Sequence, residues 1–422
     1  MSKLTIAVSC PADTYSGYGA RSRDFVKALL DIGKYDVKIL SQRWGNTRAG
    51  YLKDHNDTVL SPLIIDKLDS KPDIWIQCTV PNEFQPVGTF NIGLTAGIET
   101  TICDASWVQG CNRMNLILCS SQHSKKVFLD SKYDQKDNNT GQVIGKLEIE
   151  TPVEVLFEGG DLDKYKVVKS SFDLSSIKES FCYLFVGHWL QGKVGEDRKN
   201  VGYMIKSFLE TFKNKKDAPA LILKTSKGTS SILDRTSVLK KIDEIRKTVN
   251  GRLPNIYFLH GDLSDSEMNS LYNHEKVKAM VSLTKGEGFG RPLLEFSFVN
   301  KPIMCSAWSG QADFLDPNFS LLLGGEVKPI DKSAVVNNVL VSGSSWFQAD
   351  DGEVGRGYKD IVKNYKKHLN NAKRLGHRNR TEFSYEKMVE KLDQYFTQYL
   401  PNISKQVDIQ IPKLDLPKLK KV

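Results

Sequence analysis

The apolar residues of this chain fall into short continuous runs separated by stretches with helical spacing. In the first half the runs cover residues 4–9, 36–40, 73–77, 90–94, 114–119 and 153–157. Most are continuous rather than alternating with polar residues, as expected for strands covered on both faces by helices. Between the first two, residues 18–32 put Phe25, Leu29 and Ile32 on one helical face, and Gly33 supplies a stop. A second series covers 181–186, 220–224, 255–259, 278–283, 302–305 and 320–323, with helical patterns at 201–212, 237–248 and 264–272. Two more helices are predicted at 358–374 and 385–399, and residues 133–150 read as a surface loop or short hairpin. This alternation predicts an α/β chain with two Rossmann-like, doubly wound parallel-sheet domains. The expected divisions are 1–160 for the first domain, 161–180 for a linker and 181–380 for the second domain. Residues 381–400 should pack back on the first domain as a helix, and 401–422 form a basic tail.

At 422 residues, two cores are the natural arrangement. No apolar run is long enough to span a bilayer, and the first is too short for a signal peptide, so a cytoplasmic protein is expected. Seven cysteines without a Cys-x-x-Cys pair suit reduced, buried thiols. Cys103, Cys111 and Cys119, with His123 nearby, lack the paired turn of a zinc site, so packing is expected and no metal. The net charge of +9 suits an anionic partner. Part of it sits in the tail at Lys405, Lys413, Lys418, Lys420 and Lys421, read either as a solvated extension or as a dock for an anionic surface.

The sharpest chemical signal is Lys285-Gly286-Glu287-Gly288-Phe289-Gly290-Arg291-Pro292, followed by Glu295, between a buried strand and a helix. Glycines let the backbone approach a ligand closely, and Pro292 suits a first helical turn whose free N–H groups favour an anion. Two carboxylates beside an anion site make sense when they accept hydrogen bonds from hydroxyls, such as those of a sugar and a ribose. That reading needs both acids at an interdomain crevice and not consumed by internal ion pairs.

In this setting the chain resembles the GT-B glycosyltransferases, specifically the large retaining family four, whose Glu-x7-Glu signature Glu287 and Glu295 match. The resemblance implies a nucleotide-sugar co-substrate, no other cofactor, and two domains facing a cleft. It implies that Glu287 holds the sugar hydroxyls and Glu295 the ribose, while backbone N–H groups at Phe289 and Gly290 approach sugar and phosphates. A second match is Phe185-Val186-Gly187-His188 with Arg198-Lys199-Asn200, where the family neutralises the departing diphosphate with an Arg and a Lys. Lys199 matches the Lys; His188 replaces the Arg, leaving Arg198 or Lys193 to supply that charge. A third is Tyr15-Ser16-Gly17-Tyr18-Gly19, a loop that would bend under the donor phosphates. Dinucleotide binding is the rival for Gly17-x-Gly19-x-x-Ser22, but Ser41-Gln42-Arg43 puts no acid after the second strand, which weighs against NAD and leaves NADP to Arg43.

Weaker correspondences place Ser309 and Gly310 against the donor, the backbone of residues 259–263 against the base, and Glu99 on the acceptor side, as a hydroxyl-orienting group or a turn cap. No His occupies that turn, so no acceptor-side base is named. Asp161-Leu162-Asp163 spells a metal motif of another glycosyltransferase fold, but its position at the domain junction suits helix capping. The implied activity is retaining transfer of a sugar to a glycan, lipid or protein, with Glu287, Lys199 and Glu99 as catalytic groups and the leaving phosphate taking the acceptor's proton. Two alternatives stand beside it: transfer to modified DNA bases, and a nucleotide-binding module without catalysis.

Overall fold

The computed structural model describes residues 3–137, 139–189 and 192–400; the tail expected at 401–422 lies outside the described residues. The first half forms β1 (Leu4–Cys10), β2 (Tyr35–Ser41), β3 (Ile64–Ile65), β4 (Ile74–Cys78), β5 (Phe90–Leu94) and β6 (Leu116–Cys119). A hairpin, β7 (Tyr133–Lys136) with β8 (Val143–Leu147), then precedes β9 (Val153–Val155). Seven of these strands pair in the order β3-β2-β1-β4-β5-β6-β9, all parallel. The helices between them are α1 (Gly17–Ile32), α2 (Tyr51–Asp54), α3 (Ala105–Cys111) and α4 (Gln122–Asp130). Ser16 caps α1 by accepting the Gly19 N–H at 2.8 Å, and Gly33, in the left-handed conformation at φ 72°, ends it.

The second half repeats the plan with β10 (Cys182–His188), β11 (Ala220–Ser226), β12 (Ile256–Leu259), β13 (Val277–Ser282), β14 (Ile303–Ser306) and β15 (Leu321–Leu323). They pair as β12-β11-β10-β13-β14-β15, again all parallel. Its helices are α5 (Val201–Phe212), α6 (Ile232–Lys247), α7 (Asp265–Asn273) and α8 (Arg291–Ser297). After an antiparallel hairpin of β16 (Gly325–Pro329) and β17 (Ser345–Ala349), the chain ends in α9 (Asp351–Lys363), α10 (Tyr365–Glu382) and α11 (Tyr385–Tyr399).

Three local expectations are corrected. The single helix at 358–374 is two helices, broken at Asn364, where φ −111° and ψ 31° leave the helical range. The helix expected from 237 starts at Ile232, because Ser231 caps the Asp234 N–H. Asp161 holds a turn, accepting the N–H groups of Asp163 and Lys164, with no helix behind it.

Each sheet has a buried core, and the two cores meet. Phe157 of the first half contacts Phe383 with ring centroids 5.1 Å apart, and Phe383 in turn contacts Phe314 at 6.1 Å. Helix α11 lies on α1, with Phe396 against Tyr35 at 5.6 Å and Lys34 paired to Asp393 at 2.6 Å. The seven cysteines are free and buried. Among the described residues no acid, His and Cys side chains cluster as a metal site would require, and no helix is long and apolar enough to cross a membrane.

Candidate functional site

In each sheet the strand order reverses beside the first strand, and the crevice beyond the carboxyl ends of those strands is where open α/β sheets bind ligands. Here the two crevices face one another. The loops after β1, β5 and β6 form one wall; the loops after β10, β11, β13 and β14 form the other.

Four charges from both walls converge there. Lys199 Nζ donates to Glu287 Oε1 at 2.5 Å. Arg198 donates to Glu287 Oε2 at 3.2 Å and to the Gly286 carbonyl at 2.7 Å. Its other terminal nitrogen lies 3.5 Å from the Glu99 carboxylate of the first domain. Burial alone would raise the Glu287 carboxyl, but Lys199 and Arg198 together hold it below its ordinary range. Burial lowers Lys199, with Glu287 opposing that effect, whereas Glu99 and Glu287 outweigh burial at Arg198 and keep it charged. Of the two cations named for the second charge, Arg198 lies in this cluster beside Lys199, and Lys193 is exposed on the same loop.

The second acid sits in a separate cluster. Glu295 Oε1 accepts the Arg291 Nε–H at 2.8 Å, and Arg291 also reaches Asp24 of α1 at 2.5 Å, across the domain boundary. Burial raises Glu295 to about 7 despite Arg291. The requirement that both acids be free of internal ion pairs is thus not met in this structure. Glu287 is paired with the two cations assigned to the diphosphate, and Glu295 is paired with an arginine of its own helix.

The glycines divide by use. A Cβ on Gly286 would collide with the Glu99 carbonyl, and one on Gly288 with that of Ala96, so these two let the loop lie directly on the first domain. Ser120 Oγ donates to the Gly288 carbonyl at 3.0 Å across the same contact. Gly290, at φ 98°, opens α8, while the Phe289 ring packs on Phe314 at 5.0 Å, leaving only its backbone for a ligand. Among the described residues, the N–H groups of Gly288, Phe289 and Gly290 have no acceptor. Gly17 is exposed, with no atom of the described residues within 4 Å of where a Cβ would stand; Gly19 is pressed against the Thr14 carbonyl and serves the turn itself.

Ser309 and Gly310 brace Glu287 from behind. Ser309 Oγ accepts the Glu287 N–H at 2.9 Å, and the Gly310 N–H donates to the Glu287 carbonyl at 2.9 Å. Ser309 holds φ 70°, an uncommon conformation for a residue with a side chain. His188 ends β10 with an exposed face and Nδ1 3.1 Å from Ser226 Oγ; the surrounding protein, then Lys199 and Lys224, hold its imidazole below the usual range. The His260 ring lies 3.7 Å from the buried Asp234, whereas Gly261 borders open space.

His123 entered the sequence reading only as a neighbour of the three cysteines, not as part of the crevice. His123, at the start of α4, reaches the turn that follows β5 through the Thr100 backbone and sets its ring 4.5 Å from Trp308 of the second domain. Burial lowers it to about 4, and its Nε2 is buried without a partner among the described residues. No motif marks it; only the meeting of α4 with the β14 loop does.

No family model matches the chain, and no curated protein matches its sequence. Its fold does match solved structures over almost the whole length. HepE from Anabaena, in complex with UDP and glucose, superposes with a TM-score of 0.56, covering 94% of this chain and 100% of that one at 12% identity. Sucrose-phosphate synthase from Thermosynechococcus elongatus gives 0.60 over 94% and 99% at 11% identity. A glycosyltransferase from Rickettsia africae gives 0.60 over 95% and 100% at 13% identity. Two parallel Rossmann-like sheets facing a common crevice, with these neighbours, make the fold of this chain that of the GT-B glycosyltransferases.

Proposed function

We propose that this chain transfers a sugar from a nucleotide-sugar donor, without a metal and with retention of anomeric configuration. The observation that carries the reading is the convergence of Lys199, Arg198, Glu287 and Glu99 from both walls of the crevice. The bond between the anomeric carbon and the diphosphate oxygen breaks, and the electron pair leaves with the diphosphate. Arg198 and Lys199 take up that charge, as preorganised cations do in a partly dry site. Released from them, Glu287 accepts the sugar hydroxyls, and the unpartnered N–H groups at Phe289 and Gly290 approach the same ligand. The free oxygen of Glu295 would accept the ribose hydroxyls, and Gly17 and His188 border the phosphate path. The new bond forms from the acceptor oxygen on the same face, its proton passing to the leaving phosphate. HepE was solved with UDP and glucose, which makes UDP-glucose the first donor to try.

The ion-paired state of both acids supports a second reading, a nucleotide-binding module without catalysis. One experiment separates them. Thermal shifts against UDP-, GDP-, ADP- and dTDP-sugars identify the ligand by mass action, and release of nucleoside diphosphate from that donor reports turnover. Catalysis predicts slow hydrolysis, lowered by about 10²–10³ in Glu287→Gln and Lys199→Ala. A stabilising donor that is never hydrolysed or transferred refutes it, and no shift with any donor refutes both.

A further inference from the structure

The positive charge of this chain is not spread evenly. Between Arg356 and Arg380, on α9 and α10, there are nine cations and one acid, a net of +8 against +9 for the whole sequence. Lys359 and Lys363, one helical turn apart on α9, line two adjoining grooves of about 500 and 520 Å³. Lys215 and Lys216, from the loop between α5 and β11, close the first groove, and Arg356 borders the second. Pro219, which precedes β11, also lines the first groove and places it at the opposite end of the sheet from the crevice.

These lysines are exposed, and among the described residues none of the four has a carboxylate within ion-pair distance. Most nearby acids are engaged elsewhere. Glu210 pairs with Lys213 at 2.6 Å, Asp360 with His368 at 2.7 Å and Asn364 at 2.6 Å, and Glu353 accepts the Gly324 N–H at 2.5 Å. Among the described residues Asp217 is the one acid lining the first groove. Four unneutralised ammonium groups held close together repel one another and favour an anion with several charges. Lys366 and Lys367 extend the same charge onto α10, so the fitting ligand is extended. The exposed large aliphatic side chains all lie on other segments, with none on α9 or α10 among the described residues. The surface thus lacks the groups that would insert into lipid.

We propose that this face binds the phosphodiester backbone of a nucleic acid, independently of base sequence and remote from the crevice. The test is fluorescence anisotropy of the full chain with a labelled DNA duplex and a single strand, between about 50 and 200 mM salt. The observed association constant should fall linearly with salt on logarithmic axes. Replacing Lys215, Lys216, Lys359 and Lys363 by Ala should lower the slope by about 3–4, close to one per lost phosphate contact. It should also weaken binding at least tenfold at low salt while thermal stability and any donor turnover stay unchanged. Substituting the five tail lysines by Gln in the full chain should leave the groove's share of the slope in place. An unaltered slope in the four-lysine variant, loss of all binding in the tail variant, or retention by phosphatidylserine–phosphatidylcholine vesicles with none by nucleic acid would each overturn the proposal.

Discussion

Glu287→Gln offers the most discriminating perturbation, because it should raise affinity for the nucleoside diphosphate while lowering turnover of the sugar nucleotide. In the resting protein the Glu287 carboxylate holds Lys199 at 2.5 Å and Arg198 at 3.2 Å. An incoming diphosphate must draw both cations away from it. A hydrogen bond to a charged group contributes about 1.5–3 kcal/mol net, and each 1.4 kcal/mol is about tenfold in affinity. Removing the carboxylate charge, at nearly constant volume, should therefore tighten binding of the free nucleoside diphosphate by roughly 10- to 100-fold. The nucleotide sugar loses the acceptor of its hydroxyls, so its turnover should fall by about 10²–10³. Calorimetric titration with the diphosphate and a hydrolysis assay with the sugar nucleotide read the two effects on one sample. If the variant binds the diphosphate more weakly than the parent, the carboxylate does not compete for the cations and the exchange of partners is wrong.

Other consequences are equally open to measurement. Burial raises Glu295 to about 7 against an unfolded value near 4, so the folded state holds an extra proton between those limits. Stability should fall as pH rises through that window, by on the order of 3 kcal/mol in all, and be flat above it. Denaturant titrations at low and neutral pH should show a stability difference between wild type and Glu295→Gln that changes only across that window and is constant on either side of it; equal pH profiles would exclude the raised carboxyl. If the ionised form accepts ribose, donor affinity should also rise with pH in the parent and be flat in the variant. Gly288→Ala forces a methyl against the Ala96 carbonyl and should cost about 1–3 kcal/mol of stability. Gly17→Ala, facing open space, should leave the melting temperature unchanged while weakening donor binding; the reverse pattern would place the ligand elsewhere.

The two sheets were legible because their strands are continuous apolar runs, β4 and β6 being buried at every position. Glu287 stood out because its glycine-rich turn lies between a buried apolar run and a helix, and Lys199 because it matches the family's motif; that both lie where the strand order reverses is visible only in the fold. The hairpin of β16 and β17 was invisible because β16 is exposed throughout and carries no hydrophobic signature. The break at Asn364 has neither Gly nor Pro to announce it. The pairing of Arg291 with Asp24, and the approach of His123 to Trp308, join residues far apart in sequence, so only tertiary packing brings them together. The same holds for the paired state of Glu287: the sequence supplies its partners but not their distances.

The placement of α11 has a consequence for how the chain is made. Met388, Leu392 and Phe396 are buried in the core that also holds Phe25 and Leu29 of α1, so the first lobe lacks part of its interior until those late residues are in place. A ribosome will have synthesised the entire second lobe before the first can finish folding. The lobe begun first is the one completed last, and α1 waits, partly uncovered, through most of translation.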